Sequence, residues 1–252
     1  MSRVGKLISG LAIGNSSGLK TYEADGIKIN LAPDEASVFG IVYLGTINPA
    51  ETGLVKSILK PGDTVIDVGA YVDGWYTLLC SKIVGQMGRV YSFEPVPQFY
   101  RRLKDNIFLN GFTNITTEKM ALGNKNGTRT FYQSDRTGSF FKTHVQKEGR
   151  KLIRQIRVKT LKLDSYLKIK KVKKVDFIKI DAEGAELEIL KDARNLLKRS
   201  DAPSLLIEVV DKFLKDGLSS KQELIQYLDN FKYKPYQYDN DLPLMNLFFS
   251  KK

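Results

Sequence analysis

Short apolar runs alternate with longer amphipathic segments along most of this chain. Four apolar runs are long enough for buried strands and too short for buried helices, at residues 64–68, 89–93, 175–181 and 205–210. Apolar residues recur at helical spacing in five segments, at residues 51–59, 75–84, 98–109, 185–197 and 221–230. Because strands and helices alternate, we predict an α/β fold with a doubly wound, mostly parallel sheet.

The two ends of the chain depart from this alternation. Residues 27–31 alternate between apolar and polar side chains, as in a half-exposed strand, and residues 37–44 either pair with it or begin a helix. We therefore predict that residues 1–50 form an N-terminal extension that packs short elements on a main domain, residues 51–252. At the other end, residues 233–238 and 246–250 are predicted to form an antiparallel pair.

The middle of the chain contains weaker strand signals and one long polar loop. Residues 114–122 are predicted to form a third strand of the sheet. Residues 128–133 and 155–160 are strand-like, and the loop 134–154 between them is long enough to suggest a functional role.

A glycine-bearing turn joins the first predicted core strand to the helix that begins at Trp75. Strand, glycine turn and helix form the opening of a nucleotide-binding unit, because glycines let the backbone approach a ligand and the N–H groups at the helix start point outward. Only Gly69 and Gly74 lie in this turn, so the dinucleotide pattern G-x-G-x-x-G is absent. Asp67 at the strand end suits a ligand with ammonium or hydroxyl groups. The turn therefore favours S-adenosylmethionine.

Acidic side chains occupy three predicted strand ends, where ligands bind in such sheets. We predict that Glu94 accepts hydrogen bonds from ribose hydroxyls, although solvated acids are common at strand ends. Asp67 is either a ligand contact or a structural acid that holds the glycine turn. Met120 and Ala121 either flank an adenine ring or belong to the core.

Three residues are candidates for catalysis. Asp181 and Glu183 precede a helix, where acidic side chains cap free N–H groups, but Asp181 is also placed to face the methyl donor or the acceptor. His144, the single histidine, lies in the long loop and is either a base or a bystander. Methyl transfer can also depend on in-line positioning alone, so the sequence leaves open whether a base is used.

Charge and cysteine content limit the possible partners and compartments. The 40 Lys and Arg against 28 Asp and Glu give a net charge of +12, which favours an anionic partner or reflects a solvated lysine-rich surface. The lysine run at 168–174 is predicted to be a solvated connection, so Arg150, Arg154 and Arg157 are better candidates for contact with an anionic acceptor.

One cysteine, Cys80, excludes an internal disulfide or a cysteine-built zinc site, and no metal site is predicted. Without an apolar run of about 18 residues, a soluble, cytoplasmic protein is expected.

Four motifs together resemble one protein family. They are VIDVGA followed by GWYTLL (65–79), VYSFEPVPQFYRRLKDNIFLN (90–110), TLKLDSYL (160–167) and VDFIKIDAEGAELEILKDA (175–193). In this combination they resemble the FkbM family of S-adenosylmethionine-dependent methyltransferases over roughly residues 51–210. The resemblance implies a class I methyltransferase fold, similar to the Rossmann fold, with seven strands of which the last is antiparallel.

The resemblance also implies a function and a set of site residues. The family typically methylates hydroxyl oxygens of sugars or other small acceptors. The turn 69–74 looks like the methionine-binding loop, Glu94 like the ribose acid, Met120 and Ala121 like the adenine side, and Asp181 like the acid beside the transferring methyl. The predicted cofactor contacts are Asp67, Gly69, Ala70, Tyr71, Gly74, Trp75, Glu94, Pro95, Met120, Ala121 and Asp181.

The turn departs from the family pattern at two positions. The family usually has Asn where this chain has Tyr71, and here Asp73 precedes the second glycine, one residue late. A bulkier loop is expected, in which Tyr71 stacks on or covers the cofactor. We predict an O-methyltransferase that acts on a glycan, glycolipid or other small hydroxylated acceptor. The alternatives are an RNA methyltransferase, which the net charge permits, and a non-catalytic protein on the same scaffold.

Overall fold

A computed structural model describes residues 18–134, 137–142, 154–236 and 246–251. In chain order it contains β1 (Lys20–Ala24), β2 (Ile27–Leu31), α1 (Ala36–Phe39), a π-helical turn (Gly40–Leu44), α2 (Pro49–Ile58), β3 (Thr64–Val68), α3 (Trp75–Val84), β4 (Arg89–Phe93), α4 (Pro97–Asn110), β5 (Ile115–Glu118), β6 (Ala121–Leu122), β7 (Gly127–Gln133), β8 (Gly138–Ser139), β9 (Arg154–Leu161), α5 (Leu163–Lys170), β10 (Phe177–Ile180), α6 (Glu186–Lys191), α7 (Arg194–Lys198), β11 (Ser204–Glu208), α8 (Asp211–Leu214), α9 (Lys221–Asp229), β12 (Lys234–Tyr236) and β13 (Asn246–Ser250).

Seven strands form the central sheet in the order β12-β13-β11-β10-β3-β4-β5. Neighbouring strands from β11 to β5 are parallel, whereas β13 runs antiparallel to both β11 and β12. The α/β fold with a seven-stranded, mostly parallel sheet is confirmed. The antiparallel last strand and the predicted pairing of the two C-terminal segments are confirmed as well.

The two faces of the sheet are covered by different parts of the chain. Ile66, Phe93 and Ile178 belong to a buried cluster that includes residues of α5 to α9. Val65 and Phe177 point the opposite way, into a cluster that includes α3, α2 and the β1–β2 hairpin. Because successive strand side chains alternate between faces, each core strand is apolar on both sides and its sequence forms a continuous apolar run.

The N-terminal part that the structure describes is tightly packed. Ile27, Ile29 and Leu31 of β2 are fully buried in the same cluster as residues of α2 and α3. The hairpin is also fastened to α4, where the side-chain oxygen of Asn106 accepts the N–H of Asn30 at 2.8 Å. Residues 37–44, for which the sequence left strand or helix open, are helical. A domain boundary at residue 50 stays a prediction.

The predicted third strand at 114–122 is wrong as a single element. Ile115–Glu118 pairs with β4 in the central sheet, and Ala121–Leu122 pairs with β9 in a separate four-stranded sheet of order β6-β9-β7-β8. The chain bends at Lys119 and Met120 to move from one sheet to the other. The apolar pattern continues through this bend, which is why the sequence suggested one strand.

The predicted helix at 185–197 is also wrong as a single element, because it divides into α6 and α7. The carboxylate of Asp164 accepts the N–H groups of Asn195 and Leu196 at 2.9 and 3.1 Å, so α7 begins with its own cap. This cap comes from about thirty residues earlier in the chain, where sequence periodicity gives no sign of it. Among the helices that the structure describes, none is long and apolar enough to cross a membrane.

Candidate functional site

A cavity of about 840 Å³ opens at the carboxyl ends of β3, β4 and β10. Its volume lies within the range typical of small-molecule sites. Asp67, Glu94 and Asp181, which the sequence placed at one edge of the sheet, all line it. The other predicted site residues on its wall are Gly69, Ala70, Tyr71, Trp75, Pro95, Met120, Ala121 and Glu183.

Gly69 allows β3 and β10 to meet at the floor of the cavity. Its φ is +80°, and a Cβ atom added there would lie 1.9 Å from the carbonyl oxygen of Asp181. The N–H groups of Gly69 and Ala70 both donate to the carbonyl oxygen of Phe93, at 3.0 and 3.1 Å. A side chain at position 69 would therefore push apart the strand ends that form the site.

The carboxylate of Glu94 is hydrogen-bonded to the backbone of the glycine turn and of the segment after β4. Its carboxylate accepts the backbone N–H groups of Tyr71 at 3.0 Å and Val96 at 2.8 Å, one on each oxygen. Burial raises the pKa of Glu94 to about 8, although these two N–H groups act in the opposite direction. A carboxylate oxygen can accept more than one hydrogen bond, so Glu94 keeps capacity for a ligand hydroxyl.

Tyr71 adopts a conformation that is uncommon for a bulky residue. Its φ is +61°, in the left-handed region, and its ring packs edge-to-face on Phe99 with 5.0 Å between the ring centres. Such backbone strain persists where the surroundings fix it, often at functional sites. The ring forms part of the cavity wall but leaves the cavity open.

Asp67 is fully buried next to α3. One of its oxygens accepts the hydroxyl of Thr77 at 2.5 Å, and the other has no hydrogen-bond partner among the described residues. Burial raises the pKa of Asp67, although the nearby Lys179 and Thr77 oppose the shift. A buried carboxylate oxygen without a partner on a cavity wall fits a ligand that carries hydrogen-bond donors.

Lys179 is a site residue that the sequence analysis missed. It pairs in register with Asp67 across β10 and β3, and its ammonium lies 2.8 Å from a carboxylate oxygen of Asp181. The ammonium also lies 5.1 Å from the ring centre of Tyr76. Burial alone would lower the pKa of Lys179, but the carboxylates of Asp181 and Asp67 raise it, so the lysine is charged. The sequence did contain one sign of this role, because Lys179 is a charged residue inside the otherwise apolar run 177–180.

The carboxylate that caps the turn after β10 belongs to Glu186. It accepts the N–H groups of Ala182 at 2.8 Å and Gly184 at 3.2 Å, and burial raises its pKa to about 7. The Asp181 carboxylate is turned towards Lys179 and the cavity instead. Glu183 has a φ of +51° and accepts the hydroxyl of Thr137 at 2.6 Å.

Residues 32–49 form a wall of the cavity that the sequence analysis did not anticipate. The Ser37 hydroxyl donates to the carboxylate of Asp73, whose other oxygen accepts the N–H of Trp75 at 3.1 Å. Arg102 of α4 makes a bidentate ion pair with Glu35 at 2.5 and 2.8 Å. Asp73, one of the two residues that depart from the family pattern, thus joins this wall to the glycine turn.

The remaining predicted residues differ in how they relate to the cavity. Gly74 is not on the cavity wall, since it faces Leu103 behind the turn. Trp75 borders the cavity as predicted, but its indole N–H donates a hydrogen bond to the hydroxyl of Thr52 in α2 at 2.8 Å. His144 and Arg150 lie outside the described residues. Arg154 and Arg157 are exposed on β9 and do not line the cavity.

A family model described as the methyltransferase FkbM domain matches residues 67–235. The hexuronic acid methyltransferase AglP of Haloferax volcanii is 31% identical over 152 residues, which are 59% of this chain and 58% of that protein. Methyltransferase 1 of Beauveria bassiana is 24% identical over 148 residues, covering 52% of this chain and 59% of the relative. The chain therefore spans less than two thirds of the length of these relatives.

Among solved structures, the methyltransferase FkbM of Methylobacillus flagellatus is similar at 16% identity with a TM-score of 0.48, over 79% of this chain and 50% of that one. The family match covers more than half of the 252 residues and includes the glycine turn, Glu94 and Asp181. It confirms, for this domain, the predicted class of enzyme, a methyltransferase that uses S-adenosylmethionine. The chain thus belongs to the FkbM family of methyltransferase domains.

Proposed function

We propose that this protein transfers a methyl group from S-adenosylmethionine to a hydroxyl oxygen of a glycan, a glycolipid or another small hydroxylated acceptor. The observation that carries the proposal is the convergence of Asp67, Glu94 and Asp181 on one cavity at the carboxyl edge of the sheet. Ligands of doubly wound sheets bind at this edge.

The residues of the cavity suit the methyl donor in three respects. Gly69 brings the backbone close to the ligand, because no side chain fits there. Glu94 lines the cavity and can accept hydrogen bonds from ribose hydroxyls, and the unpartnered oxygen of Asp67 suits an ammonium group. When bound, S-adenosylmethionine supplies an electrophilic methyl group on a positively charged sulfur, which the acidic lining of the cavity stabilises.

Asp181 and Lys179 are proposed to act at the acceptor side of the cavity. The Asp181 side chain is one-third exposed, and Lys179 fixes one of its oxygens at 2.8 Å. The other oxygen is then oriented to accept the proton of an acceptor hydroxyl as the oxygen attacks. Glu183 on the same wall and His144 of the loop 134–154 are the other candidates for this role, and both assignments stay predictions.

The acceptor class rests on the relatives rather than on the cavity. AglP of Haloferax volcanii is named a hexuronic acid methyltransferase, and it is the relative with 31% identity. A sugar hydroxyl also agrees with the polar side chains of the cavity. Whether the acceptor is anionic stays a prediction, since Arg154 and Arg157, two of the arginines suggested for that contact, lie away from the cavity.

Mass spectrometry of glycans and lipids from cells with and without the protein tests this proposal. A product that is one methyl heavier in the presence of the wild-type protein, and absent with Asp181→Asn, would support it. Unchanged glycans and lipids would contradict the proposed acceptor. Methylated RNA in the same cells would favour the RNA methyltransferase, and failure to bind the methyl donor would favour a non-catalytic protein.

A further inference from the structure

Two aromatic side chains stand exposed beside the mouth of the cavity. Phe39 is 61% exposed and Tyr43 is 72% exposed, and their ring centres lie 4.7 Å apart with 35° between the ring planes. Phe39, the last residue of α1, lines the cavity, as does Leu44 at the end of the π-helical turn that follows and carries Tyr43. We call Phe39 and Tyr43 the aromatic pair. Large exposed apolar side chains next to one another mark interaction sites more often than isolated ones do.

The aromatic pair is carried by a firmly anchored segment. The hydroxyl of Thr46 donates to Asp25 at 2.7 Å, and the hydroxyl of Thr52 donates to the carbonyl oxygen of Ile47. On the other side, Glu35 is fixed by Arg102. A π-helical turn is rare and frequently occurs at functional sites. The two rings are therefore presented in a fixed position without being part of the core.

Polar groups line the same cavity as Phe39. Asp34 is exposed and lines the cavity, and so do the side chains of Glu35 and Asn48. A sugar ring has an apolar face of C–H groups and a rim of hydroxyls. Aromatic faces cover the first, and carboxylate and amide groups accept or donate hydrogen bonds to the second.

We propose that the aromatic pair and Asp34 form a binding site for a sugar ring of the methyl acceptor, with the sugar packed against the exposed surface of the pair. This inference rests on the proposed function and specifies its acceptor as a carbohydrate held by the segment 34–48. The site lies outside residues 67–235, the part of the chain that matches the family model.

Two other occupants fit the surface less well. A stable protein partner needs about 800 Å² of buried surface on each side, and two or three side chains provide far less. A membrane surface carries anionic headgroups, which the exposed carboxylate of Asp34 on the wall of the same cavity repels. A sugar ring matches the size and the mixed character of this surface.

The test compares three proteins on an array of immobilised, defined oligosaccharides: the wild type, the double variant Phe39→Ala/Tyr43→Ala, and the control Phe108→Ala. Phe108 is 89% exposed on α4 and does not line the cavity. Phe108→Ala therefore also removes an exposed aromatic ring, but one away from the proposed site. Calorimetric titration with S-adenosylhomocysteine, the product of the methyl donor, measures the donor site separately. Circular dichroism verifies that all three proteins are folded.

We expect the wild type and Phe108→Ala to bind the same oligosaccharides, and the double variant to bind them at least about tenfold more weakly, as for loss of central aromatic contacts. Affinity for S-adenosylhomocysteine should be equal in all three. Equal sugar binding by the double variant would overturn the inference, and so would binding to anionic phospholipid vesicles but to no sugar. If the wild type failed to bind S-adenosylhomocysteine, the proposed function would fail instead, whatever the array showed.

Discussion

The ammonium of Lys179 lies 2.8 Å from the carboxylate of Asp181, and the Lys179 side chain is 4% exposed. Lys174 makes the same kind of ion pair with Asp176, also two residues ahead, but its side chain is 59% exposed. The lysine is buried in the first pair and exposed in the second, so the two lysines form a matched comparison.

We expect Lys179→Met to lower the free energy of unfolding by about 3 kcal/mol, because Asp181 and the buried Asp67 lose their cationic partner. Lys174→Met should change it by about 0–1 kcal/mol, since solvent already screens that pair. Urea denaturation of both variants measures the difference. Equal destabilisation would show that the burial of Lys179 has no energetic role.

A substitution at Gly69 tests the close packing of the ends of β3 and β10. Gly69→Ala should abolish binding of the donor product, because its methyl group would overlap the carbonyl of Asp181. The control is Gly62→Ala, where φ is also positive at +92° but no atom lies within 4 Å of the added Cβ. That variant should cost only about 1–2 kcal/mol of backbone strain and bind S-adenosylhomocysteine like the wild type. Calorimetry that found donor binding intact in Gly69→Ala would contradict the assigned geometry.

The raised pKa of Glu94, about 8, predicts proton release on donor binding. At pH 7 the free protein holds this proton, and ribose hydroxyls that donate to Glu94 favour the ionised form. We therefore expect release of up to about 0.9 proton per donor molecule at pH 7. Titration calorimetry in buffers of different ionisation enthalpy measures this number, and Glu94→Gln should abolish the release. A buffer-independent enthalpy in the wild type would count against the prediction.

The same shift fixes the sign of the pH dependence of stability. The folded-state pKa of Glu94 lies above its ordinary value of 4.5, so the folded chain binds this proton more tightly than the unfolded chain does. This contribution to stability is present at low pH and is lost as the pH rises from about 4.5 to 8. Urea denaturation of the free wild type across this interval should show it, with a weaker dependence in Glu94→Gln.

The ion pair between Arg102 and Glu35 anchors the wall formed by residues 32–49. Arg102→Met should lower the free energy of unfolding by about 1–3 kcal/mol and speed proteolytic cleavage within that wall, because the partly buried Glu35 loses a bidentate partner. Arg199 makes a comparable bidentate pair with Asp201 on the surface, so Arg199→Met is the control and should leave the free energy of unfolding close to that of the wild type. Unchanged protease sensitivity in Arg102→Met would refute the anchoring role.

Local signals were sufficient to predict the central part of the fold. The bounds of β3, α3 and β4 agree with the predicted segments, because each is a largely apolar run that is followed by a glycine or, for β4, by Glu94 and Pro95. The convergence of Asp67, Glu94 and Asp181 also followed from the sequence, since parallel strands end at a common edge.

What the sequence did not predict depends on contacts between distant residues. The bend before Ala121, the Asp164 cap of α7 and the wall that Arg102 and Ser37 hold in place all join segments far apart in the chain. Lys179 was overlooked because one charge inside an apolar run does not change its periodicity. Its importance appears only where Asp67 and Asp181 come together around it.

Titration with S-adenosylmethionine tests the central claim, a donor site at the carboxyl edge of the sheet, most directly. The wild type should bind it, and Glu94→Ala should weaken binding by about 1–3 kcal/mol through the loss of hydrogen bonds to a charged acceptor. Binding that is absent in the wild type, or a dissociation constant that Glu94→Ala leaves unchanged, would contradict the account.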